Sequence, residues 1–487
     1  MHQGSIRGDA GRQHRSESCT SSTQHQTPGG GGSVRKHLKA AKADDSGFTL
    51  VEVIVSMMVF ALIAVGVTYA TSTALRLTND TSAREVATNL AASEIDSVRT
   101  LDAFAVYTAP DRTVTVGTRV YTIKRSAGWV SATGTTSGCG TGTGQLQYKR
   151  VNVTVTWPSM LNSSAAARAD TIIAPSSRLN DPDLGSIFIS AIAADGTGSA
   201  GKSVSVSPTS GGGGAALPTQ PAATDSDGCS YAFSVKPGSY TVTLSKAGAI
   251  DVNQATAPTA TISVGAGGAA SAAFQYDAAG TYNVSYAPNA AASRILPTNL
   301  STTYVSSFAP YTSPTTGTPS TVSLFPFSDG YSAFGGAYIA PTTANTGCVS
   351  VDPAAWNQST VNGKVMAAGD RLDPVSTTPG GSTAISVPMG ALSYSGTLLV
   401  TNVRITSKVN AAAGDPGCYS NRQYTYSVSG LGGTSLLAVP YGSWLVEEQT
   451  ILGWVTVANN RYTEPLNAAG DIETATNIVT IDPRKLK

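Results

Sequence analysis

From Val53 to Leu75 the chain carries no charged side chain, and Val53–Val67 is almost wholly apolar. About 20 such residues suffice for a helix to cross the hydrocarbon core of a bilayer. The flanks set its direction. Residues 1–47 are polar and hold seven basic residues (Arg7, Arg12, Arg15, Arg35, Lys36, Lys39, Lys42) against four acidic ones (Asp9, Glu17, Asp44, Asp45). Positive flanks stay in the cytoplasm, so residues 1–47 are expected inside and the bulk of the chain outside, on a single membrane pass. A cleaved secretory signal would instead have a shorter apolar core, about 7–15 residues, followed by a small-x-small site. Here the small residue, Gly47, precedes the apolar run.

Composition agrees with an extracytoplasmic chain. Only 13% of the 487 residues are charged, the net charge is +1, and Gly (50) and Pro (25) are plentiful. That balance lacks the clustered basic excess of a nucleic-acid binder and favours strands and turns over helices. All four histidines (His2, His14, His25, His37) and Cys19 fall in residues 1–47. Beyond residue 47 no Ser-His-Asp triad, Cys-His pair or His-ligated metal can be built.

The segment Gly47-Phe48-Thr49-Leu50-Val51-Glu52-Val53-Ile54 resembles the processing signature of type IV prepilins and pseudopilins. The resemblance covers about 25 residues. It implies cleavage between Gly47 and Phe48 by a membrane-embedded prepilin peptidase, followed by N-methylation of Phe48. It also makes Glu52 the fifth mature residue, an assembly position that pairs with the free α-amine of a neighbouring subunit's Phe48. An acidic residue at the edge of an apolar helix is costly unless paired; the plain alternative is a Glu that snorkels to headgroups or water. Many pilins carry a Pro near mature position 22. This chain has none between Pro28 and Pro110, and Gly66 before Thr68 is the expected point of loosening. The leader is also long for this family, and Val34 is the expected true start.

Beyond the span, Val86, Leu90, Ile95, Val98 and Leu101 recur near a 3.6-residue period among Arg84, Glu85, Glu94, Asp96 and Arg99, so the helix should continue to about Asp102. A helix from Phe48 to that point would be on the order of 80 Å long. Arg112–Val116 and Arg119–Lys124 then alternate around Gly117 as a hairpin, and Lys149–Trp157 alternates up to Pro158. The Val153-Thr154-Val155-Thr156-Trp157 run resembles minor pilins of the pilus-modification (PilV-like) group. A second unit follows the Asn180-Asp181-Pro182-Asp183 turn. Its Thr224–Phe233 and Lys236–Leu244 segments resemble the carboxypeptidase-regulatory-like, prealbumin-type β-sandwich, including its collagen-adhesin relatives, which implies a structural or display module. Residues 278–487 read as strands at Tyr282–Tyr286, Ser323–Phe327, Thr397–Thr406, Gln423–Val428, Leu436–Val446 and Asn477–Ile481, with Pro310–Pro319 and Thr377–Ser382 as spacers, and carry no family signature.

The expected fold class is α+β: a long N-terminal transmembrane helix, a pilin-type antiparallel sheet, then further all-β sandwich domains. The expected division is 1–47 leader, 48–105 assembly helix, 106–183 pilin head, 184–277 prealbumin-like sandwich and 278–487 C-terminal β-rich domain.

Few residues look chemical. Gly196–Ser203 fits the phosphate-loop spacing G-x-x-x-x-G-K-S, but Val204-Ser205-Val206-Ser207-Pro208 follows, alternating and then broken by Pro, where that chemistry needs a helix N-terminus. Asp225, Asp227 and Gly228 suggest a calcium loop only faintly, since no bidentate acid follows at the required offset. Both segments are expected to be turns. The exported cysteines, Cys139, Cys229, Cys348 and Cys418, are too scattered for a CxxC site. Outside the cell disulfides are expected; of the three connectivities, Cys139–Cys229 with Cys348–Cys418 is favoured.

The function expected is a minor type IV pilin at a pilus tip, or in a priming or adhesive role. The partners expected are prepilin peptidase, other pilin subunits through the N-terminal helix, membrane lipid before assembly, and a host or surface ligand; neither a cofactor nor nucleic acid is expected. The alternatives are a type II secretion or competence pseudopilin, and a membrane-anchored surface adhesin that never polymerises. A secreted glycosidase would need a pair of acids, and no motif marks one.

Overall fold

The computed structural model describes residues 49–487 apart from 102, 104–107, 132–133, 135, 140–145, 159, 161–165, 176–180, 289–293, 315, 344–345, 467–471, 474–476 and 485–487. The leader, with Gly47 and Phe48, lies outside the described residues. A helix, α1 (Leu50–Arg99), opens the fold. The chain divides into two units at Leu75/Arg76, inside this helix.

In the first unit the helix runs unbroken through Gly66, with no loosening there. Ser56, Thr68, Thr71 and Thr73 donate their hydroxyls to the carbonyls of Val53, Ala64, Val67 and Tyr69. Every polar side chain so satisfied can enter a medium without water. Among the described residues α1 is the helix long and apolar enough to cross a membrane.

In the second unit the rest of α1 packs on an antiparallel sheet of β1 (Ala109–Val116), β2 (Arg119–Ser131), β3 (Thr136–Ser137), β4 (Leu146–Thr156) and β5 (Ala167–Ile173), in the order β1-β2-β4-β5 with β3 on β2. The β1–β2 hairpin turns at Gly117, whose φ of 62° only glycine adopts cheaply. The helix face against the sheet differs from the expected stripe: Ala83, Ala87, Ala91, Ile95 and Val98 are buried, Val86 and Leu90 flank them, and Leu101 is exposed. Alanines bring the helix axis close, and the large side chains come from the sheet: Tyr121, Ile123, Trp129, Val151, Val153, Val155 and Trp157. Glu94 secures the contact by pairing with both Arg112 and Arg125 at 2.9 Å.

Next come β6 (Gly185–Ile192), β7 (Ser203–Pro208), β8 (Cys229–Val235), β9 (Gly238–Ser245), β10 (Ala249–Asp251), β11 (Thr259–Val264) and β12 (Ala269–Ala278). They form two sheets, β10-β12-β6-β8 and β11-β9-β7, which enclose Ile187, Ile189, Val206, Tyr240, Val242 and Tyr276. Strand β12 joins β6 in parallel and β8 joins it antiparallel. The outer face of β6 and β8 is covered too: Phe188, Tyr231 and Phe233 belong to the core under α1, and Trp129 Nε1 donates to the Tyr231 hydroxyl at 3.0 Å. Burial on both faces explains the continuous apolar run of β6.

The last region has a tyrosine-rich core. Gly280–Tyr286 pairs antiparallel with Thr321–Leu324 and in parallel with Ser382–Val387. Gly390–Leu398 lies between Leu431–Val439 and Tyr462–Leu466. Another sheet runs Gln423–Ser427, Asn402–Lys408, Gly442–Thr450, Ile478–Ile481, with Gly453–Thr456 added to Gly442–Thr450. Three expectations need correction. Thr397–Thr406 is not one strand but the end of Gly390–Leu398, a turn over 399–401 and the start of Asn402–Lys408, because Leu399 takes a φ of 71° and reverses the chain. Leu436–Val446 likewise breaks at Pro440-Tyr441 into two strands, since Pro supplies no donor for a ladder. Pro310–Thr312, expected within a spacer, pairs with Thr302–Val305.

Candidate functional site

Glu52 stands at the third helical position of α1. Its N–H donates to the Thr49 carbonyl at 3.0 Å and reaches the Thr49 hydroxyl at 3.3 Å. Thr-x-x-Glu is the spacing of a capping box, in which the hydroxyl satisfies one of the orphan donors of the helix start. A carboxylate in the first turn also meets the positive end of the helix dipole. The side chains from Leu50 through Val67 are exposed, including Leu50, Met57, Phe60, Leu62 and Val65. The first unit thus presents an apolar cylinder headed by one acid.

The four exported cysteines form two disulfides, Cys139–Cys229 and Cys348–Cys418, spanning 90 and 70 residues. The first ties the segment after β3 to the start of β8. The second lies beside Phe334 and Val351 in a small core of its own.

The phosphate-loop spacing has no matching geometry. Ser203 opens strand β7 opposite Ser245, so no helix N-terminus faces the loop. Lys202 is buried, 5.5 Å above the Tyr276 ring, and burial lowers its pKa. The Asp225–Gly228 segment is a turn: Asp225 Oδ1 accepts from the N–H of Asp227 and of Cys229. Asp227 Oδ2 accepts from the Thr108 N–H at 2.9 Å, which links this turn to the residue just before β1. Burial raises the Asp225 pKa against the pull of the Cys229 N–H and Lys149. Among the described residues no three His, Cys, Asp or Glu side chains are grouped to hold a metal.

Three features escaped the sequence. Lys149, at an inward position of β4, is fully buried. In the last region, Glu448 accepts from the Tyr394 hydroxyl at 2.7 Å and from both terminal nitrogens of Arg461 at 2.8 Å, beside Glu447 paired with Arg404. A cleft of about 520 Å³ opens between Pro353, Arg371, Pro388, Tyr441 and Arg484. Its guanidiniums are engaged already, Arg371 with Asp352 and Arg484 with Asp482. Alternation cannot reveal a cleft or a buried lysine; only packing does.

Residues 42–68 match the model of the prokaryotic N-terminal methylation motif. A search of curated proteins finds no match. Among solved structures the chain is similar to the Bacillus anthracis TIE protein (12% identity, 74% of this chain and 71% of that one, TM-score 0.17). It is also similar to BcpA, the major pilin subunit of Bacillus cereus (11% identity, 57% and 96%, TM-score 0.17), and to a streptococcal ancillary pilin (9% identity, 56% and 80%, TM-score 0.18). Overlaps this loose establish no function or partner. The motif marks the N-terminal segment as of the prepilin type, carried on a helix long and apolar enough to cross a membrane.

Proposed function

We propose that the chain is a minor type IV pilin, cut between Gly47 and Phe48 by prepilin peptidase, methylated on Phe48 and built into a filament. The observation that carries this is the methylation motif over residues 42–68 running directly into the exposed apolar half of α1. In this reading residues 1–47 are the leader, 48–105 the assembly helix, 106–183 the head, 184–277 a display sandwich and 278–487 a distal domain. Assembly replaces lipid around Leu50–Leu75 with the helices of neighbouring subunits, and Glu52 sets their register through the amine of Phe48. Bulk supports a tip, priming or adhesive place, because a repeating subunit of this size would crowd a thin fibre. A secretion or competence pseudopilin would share every step of this chemistry.

Mass spectrometry of the native N-terminus tests the processing: N-methyl-Phe48 is expected, and an intact leader on the mature protein would overturn it. The second reading, a non-polymerising membrane-anchored adhesin, asks of Glu52 only that a carboxylate in the first turn meet the positive end of the helix dipole. Glu52→Ala and Thr49→Ala separate the two. Register pairing predicts lost filament incorporation for Glu52→Ala alone, with membrane insertion intact; a role confined to the helix start predicts only a mild effect of either.

A further inference from the structure

At one end of the last region three turns meet, and each exposes large aliphatic side chains. Leu398 ends Gly390–Leu398 and Leu399 follows it, Leu431 opens Leu431–Val439, and Ile451 and Leu452 join Gly442–Thr450 to Gly453–Thr456. Their exposures are 72%, 85%, 84%, 98% and 92%. The ladders place them together. Leu398 is opposite Leu431, and the Leu399 N–H donates to Gly430 O at 2.8 Å. The Val428 N–H donates to Thr401 O, and Asn402 Nδ2 donates to Gln449 Oε1 at 2.9 Å, which brings the third turn alongside the first two. Leu399 holds a φ of 71°, a conformation that Gly or Asn takes far more cheaply than leucine.

Solvated turn apices are ordinarily Gly, Asn, Asp or Ser, and contiguous exposed apolar patches mark interaction sites. The tip is also free of charge. No Asp, Glu, Lys or Arg occurs in residues 396–403, 427–439 or 449–460. The nearest ions are neutralised below it: Arg404 grips Glu447, and Arg461 grips Glu448. Trp454, stacked 4.4 Å under the Arg404 guanidinium, sits between the apex and that charged belt. Apolar at the apex, indole next and paired ions behind is the order of polarity of a bilayer surface from acyl chain to headgroup.

We propose that this tip is a lipid-contacting surface that enters the outer part of a zwitterionic bilayer. The occupant follows from shape and charge. The three apices lie side by side on one uncharged end, and a fluid apolar medium envelops all of them at once. With every nearby cation already paired, an anionic headgroup gains nothing over a neutral one. The inference is independent of filament assembly, because it uses only residues of the second unit.

The test uses the full chain held in nanodiscs, which occupy the apolar helix, mixed with protein-free phosphatidylcholine vesicles and separated by flotation. Loaded nanodiscs are expected to float with the vesicles and empty ones to stay behind. A severalfold rise in NaCl should leave the affinity unchanged, as it rests on apolar burial. Ile451→Ser with Leu452→Ser should weaken it at least tenfold, and Leu398→Ser with Leu399→Ser, on a different turn, should do the same. Leu372→Ser, an exposed leucine outside the three turns, should not. Flotation unchanged in both double variants overturns the proposal. So does loss of flotation on raising salt, or association of loaded nanodiscs with one another without vesicle uptake.

Discussion

Lys149 holds its ammonium nitrogen 5.5 Å from the centroid of the Trp129 ring and donates no hydrogen bond among the described residues. It occupies the inward register of β4 that Val151, Val153 and Val155 continue. Phe188, Tyr231 and Phe233 close over the same core and exclude the water such a group needs. Burial lowers its pKa, and Asp225 and Asp227 oppose this only through space. A buried cation without a hydrogen-bonded partner costs more than a thioether of similar length. Lys149→Met is therefore expected to stabilise the fold by about 1–3 kcal/mol at pH 7 in urea denaturation. The sign with pH follows. The folded chain gives up this proton below the unfolded value of 10.5, so the parent gains stability as pH rises through that window. The advantage of the Met variant should shrink over the same range; an advantage constant from pH 7 to 10.5 would show that charge is not its origin.

The alanine face of α1 makes the opposite kind of prediction. Ala87 and Ala91 are fully buried where the helix meets the sheet. A larger side chain at either has nowhere to go without lifting the helix. Ala87→Leu should cost about 1–3 kcal/mol by overpacking. Leu101→Ser, which the periodicity would place in the core, should fall within about 0.5 kcal/mol of the parent because that residue is exposed. Thermal melts of the two variants decide between the observed face and the periodic one.

These two cases mark how far the sequence could be read. The apolar run after Phe48 and the alternation of Val151–Trp157 are local patterns, and the helix and β4 follow them. Ala83, Ala87 and Ala91 were invisible as core because a hydrophobic count favours Val and Leu, while close approach favours the smallest side chain. Lys149 shares the alternating face of Val151, Val153 and Val155, but alternation alone does not say whether a lysine at the start of a strand is covered; its burial comes with aromatic residues of β6 and β8. Thr397–Thr406 read as one strand because its turn is made of Leu398-Leu399-Val400-Thr401 rather than Gly, Pro or Asn. The processing motif was legible since it depends on residue order alone. The grip of Arg461 on Glu448 was not, since 13 residues and a strand turn separate them.

Removal of a disulfide that closes a long loop costs a domain about 2–5 kcal/mol. Cys139–Cys229 and Cys348–Cys418 close 90 and 70 residues. The pairs Cys139→Ser with Cys229→Ser, and Cys348→Ser with Cys418→Ser, should each lose stability in that range. Reductant should lower the urea midpoint of the parent and leave the quadruple variant unmoved. A parent insensitive to reductant would mean that packing alone holds these segments.

Acid should loosen the last region through its two paired glutamates. The Arg461 hydrogen bonds hold the Glu448 carboxyl below its ordinary value, with the Tyr394 hydroxyl helping, and Arg404 with Thr406 does the same for Glu447. Groups with a lowered folded pKa contribute stability that is complete above the unfolded value, about 4.5, and disappears as pH falls through the folded one. Asp415 works the other way. Its burial raises its pKa, so the fold gains from its protonation on the way down. The net curve therefore mixes signs, and a variant has to isolate the pair. Glu448→Gln keeps the shape and one acceptor but loses the charge-assisted bonds, and should cost about 1.5–3 kcal/mol at pH 7. As pH falls through the lowered folded value the parent's own Glu448 protonates and the difference between parent and variant should narrow. Urea denaturation of both chains at pH 7 and pH 3 measures it. A gap that persists undiminished at pH 3 would assign the loss to packing around Tyr394 instead of to charge.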